Sequence, residues 1–171
     1  MFEDFDLTYF KKKKPPSNDS LKTLSEIKQL ERIPINKDYI NKYDEVAGHF
    51  EKIVDEPEIR DIGKASTKVI KKLKEYFNRP RPYKLAKDFN IDLDYVELPS
   101  MKTPSYPSGH STQAFLLADY LKEDYPEKAK ELDELANHIS DSRNVARAHY
   151  KSDSDFGKEL GLALSKHIKG T

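Results

Sequence analysis

From Leu21 onward, apolar residues return every three or four positions, and almost nowhere do they alternate. That spacing is the surface period of an α-helix, whereas a half-buried strand shows a period of two. Leu24, Ile27, Leu30 and Ile33 form one stripe, with Asp19 or Ser20 as its cap and Pro34 beyond it. Tyr39, Ile40, Tyr43, Val46, Ala47, Phe50, Ile53 and Val54 form a second, expected as one continuous helix. Pro57 suits the first turn of a third, which carries Ile59, Ile62, Ser66, Val69, Ile70, Leu73 and Phe77 on one face. Pro80 and Pro82 end it, because proline lacks an amide donor and disfavours helical geometry in the residue before it.

Residues 83–107 read as a connection holding one short helix near Tyr83 to Phe89, and Pro99, Pro104 and Pro107 argue against a buried strand there. A helix is expected from Ser108 through Leu121, another opened by Pro126 and a last one carrying Phe156, Leu160, Ala163, Leu164 and Ile168. Gly157 and Gly161, four apart on that last helix, would let a neighbouring helix approach closely. No run of β-branched residues suggests a sheet, so the expected fold is all-α, a single-domain helical bundle. Residues 1–19 lack periodicity and hold the Lys11 to Lys14 run beside Pro15 and Pro16; they are expected as a flexible N-terminal arm, with the domain occupying 20–171.

Composition narrows the chemistry. Thirty basic residues balance thirty acidic ones, so no global field attracts nucleic acid or an anionic membrane, and any anion site must come from local clustering. The absence of cysteine removes disulfides, thiolate catalysis and cysteine-ligated zinc. No apolar run approaches the ~20 residues of a membrane helix, and Met1 to Phe10 carries three acids where a leader has a basic flank, so the expectation is a soluble, cytoplasmic or otherwise unexported chain. Oligomeric state is left open, and a homo-oligomer is compatible with these residues.

Three segments hold residue types that make sense together: KEYFNRPRP at 74–82, PSGH at 107–110 and SRNVARAHYKSD at 142–153. Lys74 and Arg81 lie seven apart, close to two helical turns before the prolines intervene, and both can point towards one pocket. Ser108, Gly109 and His110 fall at an expected helix start, where unpaired amides and the helix dipole favour an anion and glycine admits close approach of the backbone. Arg143 supplies a planar fork suited to phosphate oxygens. His149 and Asp153 are four apart, so a helix there would let the carboxylate orient and charge-stabilise the imidazole. Cations, an amide nest, two histidines and one carboxylate suit phosphoryl transfer without a metal. A two-histidine, one-carboxylate metal site is the competing arrangement, disfavoured because the basic residues would repel a divalent cation.

In order and spacing, Lys-x6-Arg-Pro, Pro-Ser-Gly-His and Ser-Arg-x5-His-x3-Asp resemble the three-part signature of the PAP2 superfamily of acid phosphatases, lipid phosphate phosphatases and vanadium haloperoxidases. The resemblance covers residues 74–153. It implies that Lys74, Arg81, Ser108, Gly109 and Arg143 bind phosphate, that His110 is the acid/base, that His149 is the nucleophile and that Asp153 is its partner. A second register, Lys72 with Arg79-Pro80, is also present; the first is preferred because the family's arginine-proline is commonly followed by an aromatic or apolar residue, here Tyr83. No cofactor is implied, and vanadate is expected as an inhibitor or phosphate mimic. The expected partner is a small phosphate ester, with neither nucleic acid nor membrane. A vanadate-dependent haloperoxidase and a non-catalytic phosphate-binding module are the alternatives.

Overall fold

The computed structural model describes all 171 residues and contains no strand. Its helices are α1 (Thr8–Lys11), α2 (Leu21–Glu31), α3 (Lys37–Lys42), α4 (Ala47–Glu51), α5 (Ile59–Phe77), α6 (Pro82–Asp88), α7 (Gly109–Asp124), α8 (Ala129–Val145) and α9 (Lys151–Lys169), with 3₁₀ turns at Pro99–Lys102 and Pro126–Lys128. Local chemistry sets their ends. Ser20, Asn36 and Ser108 cap α2, α3 and α7 by accepting the amides of Thr23, Tyr39 and Ser111, which would otherwise be orphaned. α5 stops at Asn78, whose φ of 48° is left-handed, a conformation asparagine tolerates better than most residues. Pro82 then begins α6.

α7 is the centre of the bundle. Ala114, Phe115, Leu116, Leu117, Ala118 and Leu121 are all buried, and the helix packs on α5, α8 and α9. A helix buried on most of its faces must be surrounded by others. The approach of α9 depends on its glycines: a Cβ on Gly157 would sit 2.8 Å from the Ser108 carbonyl oxygen, and one on Gly161 2.5 Å from that of Thr112. This contact sets the start of α7 against the start of α9, where the Ser108 amide donates to the Asp153 carbonyl at 3.1 Å.

Two expectations are corrected. Residues 1–19 are packed against the bundle: Phe2 and Phe10 belong to the main core, the Phe10 ring lies 5.9 Å from Phe156, and the Lys13 carbonyl accepts the Tyr106 hydroxyl at 2.8 Å. The segment is anchored by isolated aromatic side chains, which bury apolar area without any periodicity. The stripe from Tyr39 to Val54 is also broken, into α3 and α4. Tyr43 ends α3 with its ring stacked on His138 at 5.2 Å, and Glu45 starts a new turn by accepting the Gly48 amide at 2.7 Å. The break leaves Asp44 between the two helices.

Candidate active site

His149 lies outside any helix, on the turn from α8 to α9. Arg147, with a φ of 60°, bends that turn, and its guanidinium is tied to the carbonyls of Glu31, Ile33 and Asp94. Ala146 and Ala148 are buried in one small apolar cluster and Tyr150 in another, so the turn is clamped on both sides of the histidine. The Asn144 amide holds the His149 carbonyl at 3.0 Å. The contact with Asp153 is therefore a capping contact, not a helical one: the carboxylate, in the first turn of α9, accepts from the Tyr150 amide at 3.1 Å and from His149 Nδ1 at 2.9 Å.

The partners of His149 define its tautomer. Asp153 accepts at Nδ1, so the proton is there; the Arg81 guanidinium, a donor only, meets Nε2 at 2.9 Å, so Nε2 carries a lone pair. His149 is 1% exposed, and burial, followed by the charges of Arg81, Lys74, His110 and Arg143, holds it well below the ordinary imidazole range. A neutral imidazole with an unprotonated Nε2 is chemically able to act as a nucleophile. Burial pushes the Asp153 carboxyl up, while Arg79, the Ser105 hydroxyl and Lys74 pull it back. Arg79 donates to Asp153 Oδ1 at 2.7 Å.

The expected cations converge. Lys74, at the end of α5, is buried and donates to the Pro104 carbonyl at 2.8 Å; burial, reinforced by Arg81, lowers it to about 7. All five N–H groups of Arg81 have protein acceptors: Thr103 O at Nε, Ala148 O and His149 at NH1, and Ser100 O and Thr103 Oγ1 at NH2. Arg143, at the end of α8, is fully buried and donates to Ser142 Oγ, Asp44 Oδ1 and Ile40 O. At the start of α7, the Ser108 amide is committed to Asp153 and the Ser111 amide to Ser108 Oγ, leaving those of Gly109 and His110 without backbone acceptors. A Cβ on Gly109 would meet only Ile70, at 3.7 Å, so packing does not demand a glycine there. His110 Nε2 lies 2.7 Å from the Asp44 carbonyl, an acceptor only, which places the proton on Nε2. Burial and then Arg143 push His110 down to about 4.

The structure places the eight expected residues close together, and at the lysine position it favours the first register. Lys72 is exposed, whereas Lys74 is buried at the site. Arg79 is no bystander, however. It is 1% exposed, links Asp153 to the buried Glu26 of α2, and lies 3.7 Å over the Tyr150 ring. Glu26 in turn accepts from the amide and hydroxyl of Ser152. Sequence reasoning passed over Glu26, Asn144, Ser105 and Asp44; the one available signal was an acidic residue at a core position of the α2 stripe, Glu26 beside Ile27. Tyr83 and Tyr106, which adjoin the motif residues, are packing residues stacked on Tyr95 and Phe156. His49, His138 and His167 lie outside the site, bonded to Lys42 O, Tyr39 and Asp4.

Fold and site together define a helical bundle with a buried histidine–carboxylate pair set among three cations. The model of the PAP2 superfamily matches residues 63–169, well over half of the chain, and the chain belongs to that superfamily. It is similar to non-specific acid phosphatases of Salmonella typhimurium and Salmonella typhi, 39% and 38% identical over 90 residues. Those residues are 52% of this chain and 35% of each relative, so the match spans about a third of the relatives' length. The crystal structure of a transmembrane PAP2 type phosphatidylglycerolphosphate phosphatase from Bacillus subtilis is similar with a TM-score of 0.48 at 19% identity, covering 88% of this chain and 77% of that one. No helix of the present chain is long and apolar enough to cross a membrane.

Proposed function

We propose that this chain is a metal-independent phosphomonoesterase that carries the phosphoryl group on His149. The observation that supports this best is the state of His149: neutral, buried, protonated on Nδ1 by its pairing with Asp153, with an Nε2 lone pair that accepts from Arg81 NH1 until a phosphoryl oxygen takes that donor and frees it. In the first step, with His110 protonated to the imidazolium once the substrate dianion is bound, Nε2 attacks phosphorus, the P–O ester bond breaks and the imidazolium gives a proton to the departing oxygen, leaving neutral His110. In the second, water attacks phosphorus, gives its proton to His110 and breaks the P–N bond, which restores neutral His149. Lys74, Arg81, Arg143 and the amides of Gly109 and His110 meet the charge on the equatorial oxygens.

The low position of His110 is matched to this cycle. Arg143 and burial depress it, and a bound dianion offsets the arginine's charge, so substrate itself raises the acid towards its working range. The cations that stabilise an oxyanion also repel a divalent metal, which is why no metal is assigned to the chemistry. Small soluble esters are the proposed substrates.

The test is hydrolysis of p-nitrophenyl phosphate in EDTA, with competitive inhibition by orthovanadate and loss of turnover in His149→Ala. A rapid quench that avoids acid should trap labelled phosphohistidine, in greater amount in His110→Ala. Label on serine, or activity that EDTA abolishes and zinc or magnesium restores, would overturn the mechanism. Strong halide oxidation with vanadate and peroxide, alongside negligible ester hydrolysis, would move the chain to the haloperoxidase class.

A further inference from the structure

Asp44 touches two of the site's working groups at once. Its carboxylate Oδ1 lies 2.9 Å from Arg143 NH1 and 3.8 Å from His110 Nε2, and its backbone carbonyl accepts from that same Nε2 at 2.7 Å. Resting on the proposed phosphomonoesterase reading, we propose that Asp44 is a specificity-determining residue whose carboxylate stands in for a phosphoryl oxygen on Arg143, yields that place to the substrate, and selects esters with an uncharged leaving group.

The alternative role, a support that holds Arg143 in position, is already filled. Nε donates to Ser142 Oγ at 3.0 Å and NH2 to the Ile40 carbonyl at 3.0 Å, two contacts that fix two of the three guanidinium nitrogens. They orient the fork without Asp44. The contact with Asp44 is also lopsided: Arg143 is fully buried, whereas the Asp44 side chain is 56% exposed. An exposed carboxylate keeps most of its hydration and gains little from the pair, so its departure is cheap. A phosphoryl dianion brings more charge, presents several oxygens to the fork and is met by Lys74 and Arg81 as well. It should therefore displace the carboxylate from NH1.

The displaced side chain has somewhere to go. A cleft of about 280 Å³ opens beside it, lined by Asp44, Glu45, Gly63, Lys64, His110 and Gln113 among others. His110 is the proton donor to the departing oxygen, and in-line displacement puts that oxygen on the side away from His149. The cleft at His110 is thus the place for the leaving group. Asp44, Glu45 and Lys64 line it; Glu45 is already paired with Arg60 at 3.7 Å and the Gly48 amide at 2.7 Å, so Asp44 supplies most of the free negative charge. A leaving group that carries its own negative charge meets these carboxylates, while a neutral alcohol does not.

Asp44→Asn removes the charge but keeps the carbonyl that holds His110, which makes it the informative variant. Orthovanadate affinity, measured both as an inhibition constant and by titration calorimetry, is expected to tighten about five- to tenfold, with KM for p-nitrophenyl phosphate falling more than kcat changes. The ratio of kcat/KM for glycerol 3-phosphate over 3-phosphoglycerate, a neutral and an anionic leaving group of similar size, is expected to exceed one in the unaltered chain and to shrink several-fold in the variant. Asp44→Ser, which also lacks the charge, should follow Asp44→Asn if both keep the helical circular dichroism of the parent. Unchanged or weaker orthovanadate binding in both variants would overturn the proposal, because Asp44 would then be a support and not a competitor. If the unaltered chain neither hydrolyses esters nor binds orthovanadate, the phosphomonoesterase reading fails first, and this inference with it.

Discussion

His149 and His110 are the same side chain in two settings. Behind His149 the Nδ1 contact leads through buried groups, Asp153, then Arg79, then Glu26, with Ser105, the half-buried Ser152 and the Tyr150 amide completing the set. Behind His110 there is one backbone carbonyl and an exposed carboxylate, both supplied by the break between α3 and α4. The first arrangement holds one tautomer and one orientation through charge that cannot leave. The second holds its histidine through a short segment at the surface. A nucleophile must be placed in advance, whereas a proton donor must admit a leaving group, and the two surroundings suit the roles proposed for the two histidines.

The sharpest test of this contrast is deletion of each histidine. His149→Ala is expected to reduce kcat/KM for every ester on the order of a thousandfold or more, since no other side chain replaces its lone pair. His110→Ala should cost about 10²- to 10⁴-fold for an alkyl phosphate. It should cost much less for p-nitrophenyl phosphate, whose leaving group departs without a proton. Equal losses on both esters would remove His110 from the acid role.

Stability separates the two regions next. Arg79→Met leaves Asp153 and Glu26 without their shared cation in a buried place, and is expected to lower unfolding free energy by about 3–5 kcal/mol in denaturant titration. Asp44→Asn, at an exposed pair, should change it by less than ~1 kcal/mol. Similar values for the two would mean that the rear network is no firmer than the front.

Lys74→Ala and Arg81→Ala should each lower kcat/KM by about 30- to 1000-fold, the equivalent of ~2–4 kcal/mol of lost transition-state stabilisation. Lys72→Ala, two residues away at an exposed position on the other face of α5, should leave it within about twofold. The reverse ranking of Lys72 and Lys74 would place the site in the other register.

The smallest expected effect is on the pH dependence of stability. His110 is held at about 4 in the folded chain, against 6.5 for an unperturbed histidine. Between those values the unfolded chain binds a proton that the folded chain does not, so stability falls as pH is lowered from 6.5 towards 4. His149, also depressed, adds to the same loss. His110→Asn should remove one proton's worth of that slope, about 1.4 kcal/mol per pH unit, measured by denaturant midpoints across the range. An unchanged slope would show that His110 is not held neutral by the fold.

Local sequence determined most of the helices and their ends. Ser20 and Ser108 as caps, Pro82 opening α6, and the stripe of α5 are all settled within a few residues, because capping and periodicity act over one or two turns. The eight candidate residues were legible for a similar reason: seven have side chains chemically suited to an oxyanion site, Gly109 leaves room for one, and their spacing is visible along the chain. What tertiary structure alone decided was which acceptor each buried donor would find. Arg79 and Arg81 are two residues apart with the same side chain, yet one faces Asp153 and Glu26 while the other faces His149 and the carbonyls of Ser100 and Thr103. Periodicity tells which face of an element is covered, but not what covers it. Arg79 finds Glu26 on α2, and Arg143 and His110 find Asp44 at the α3–α4 break, segments brought to the site only by the packing of the whole bundle.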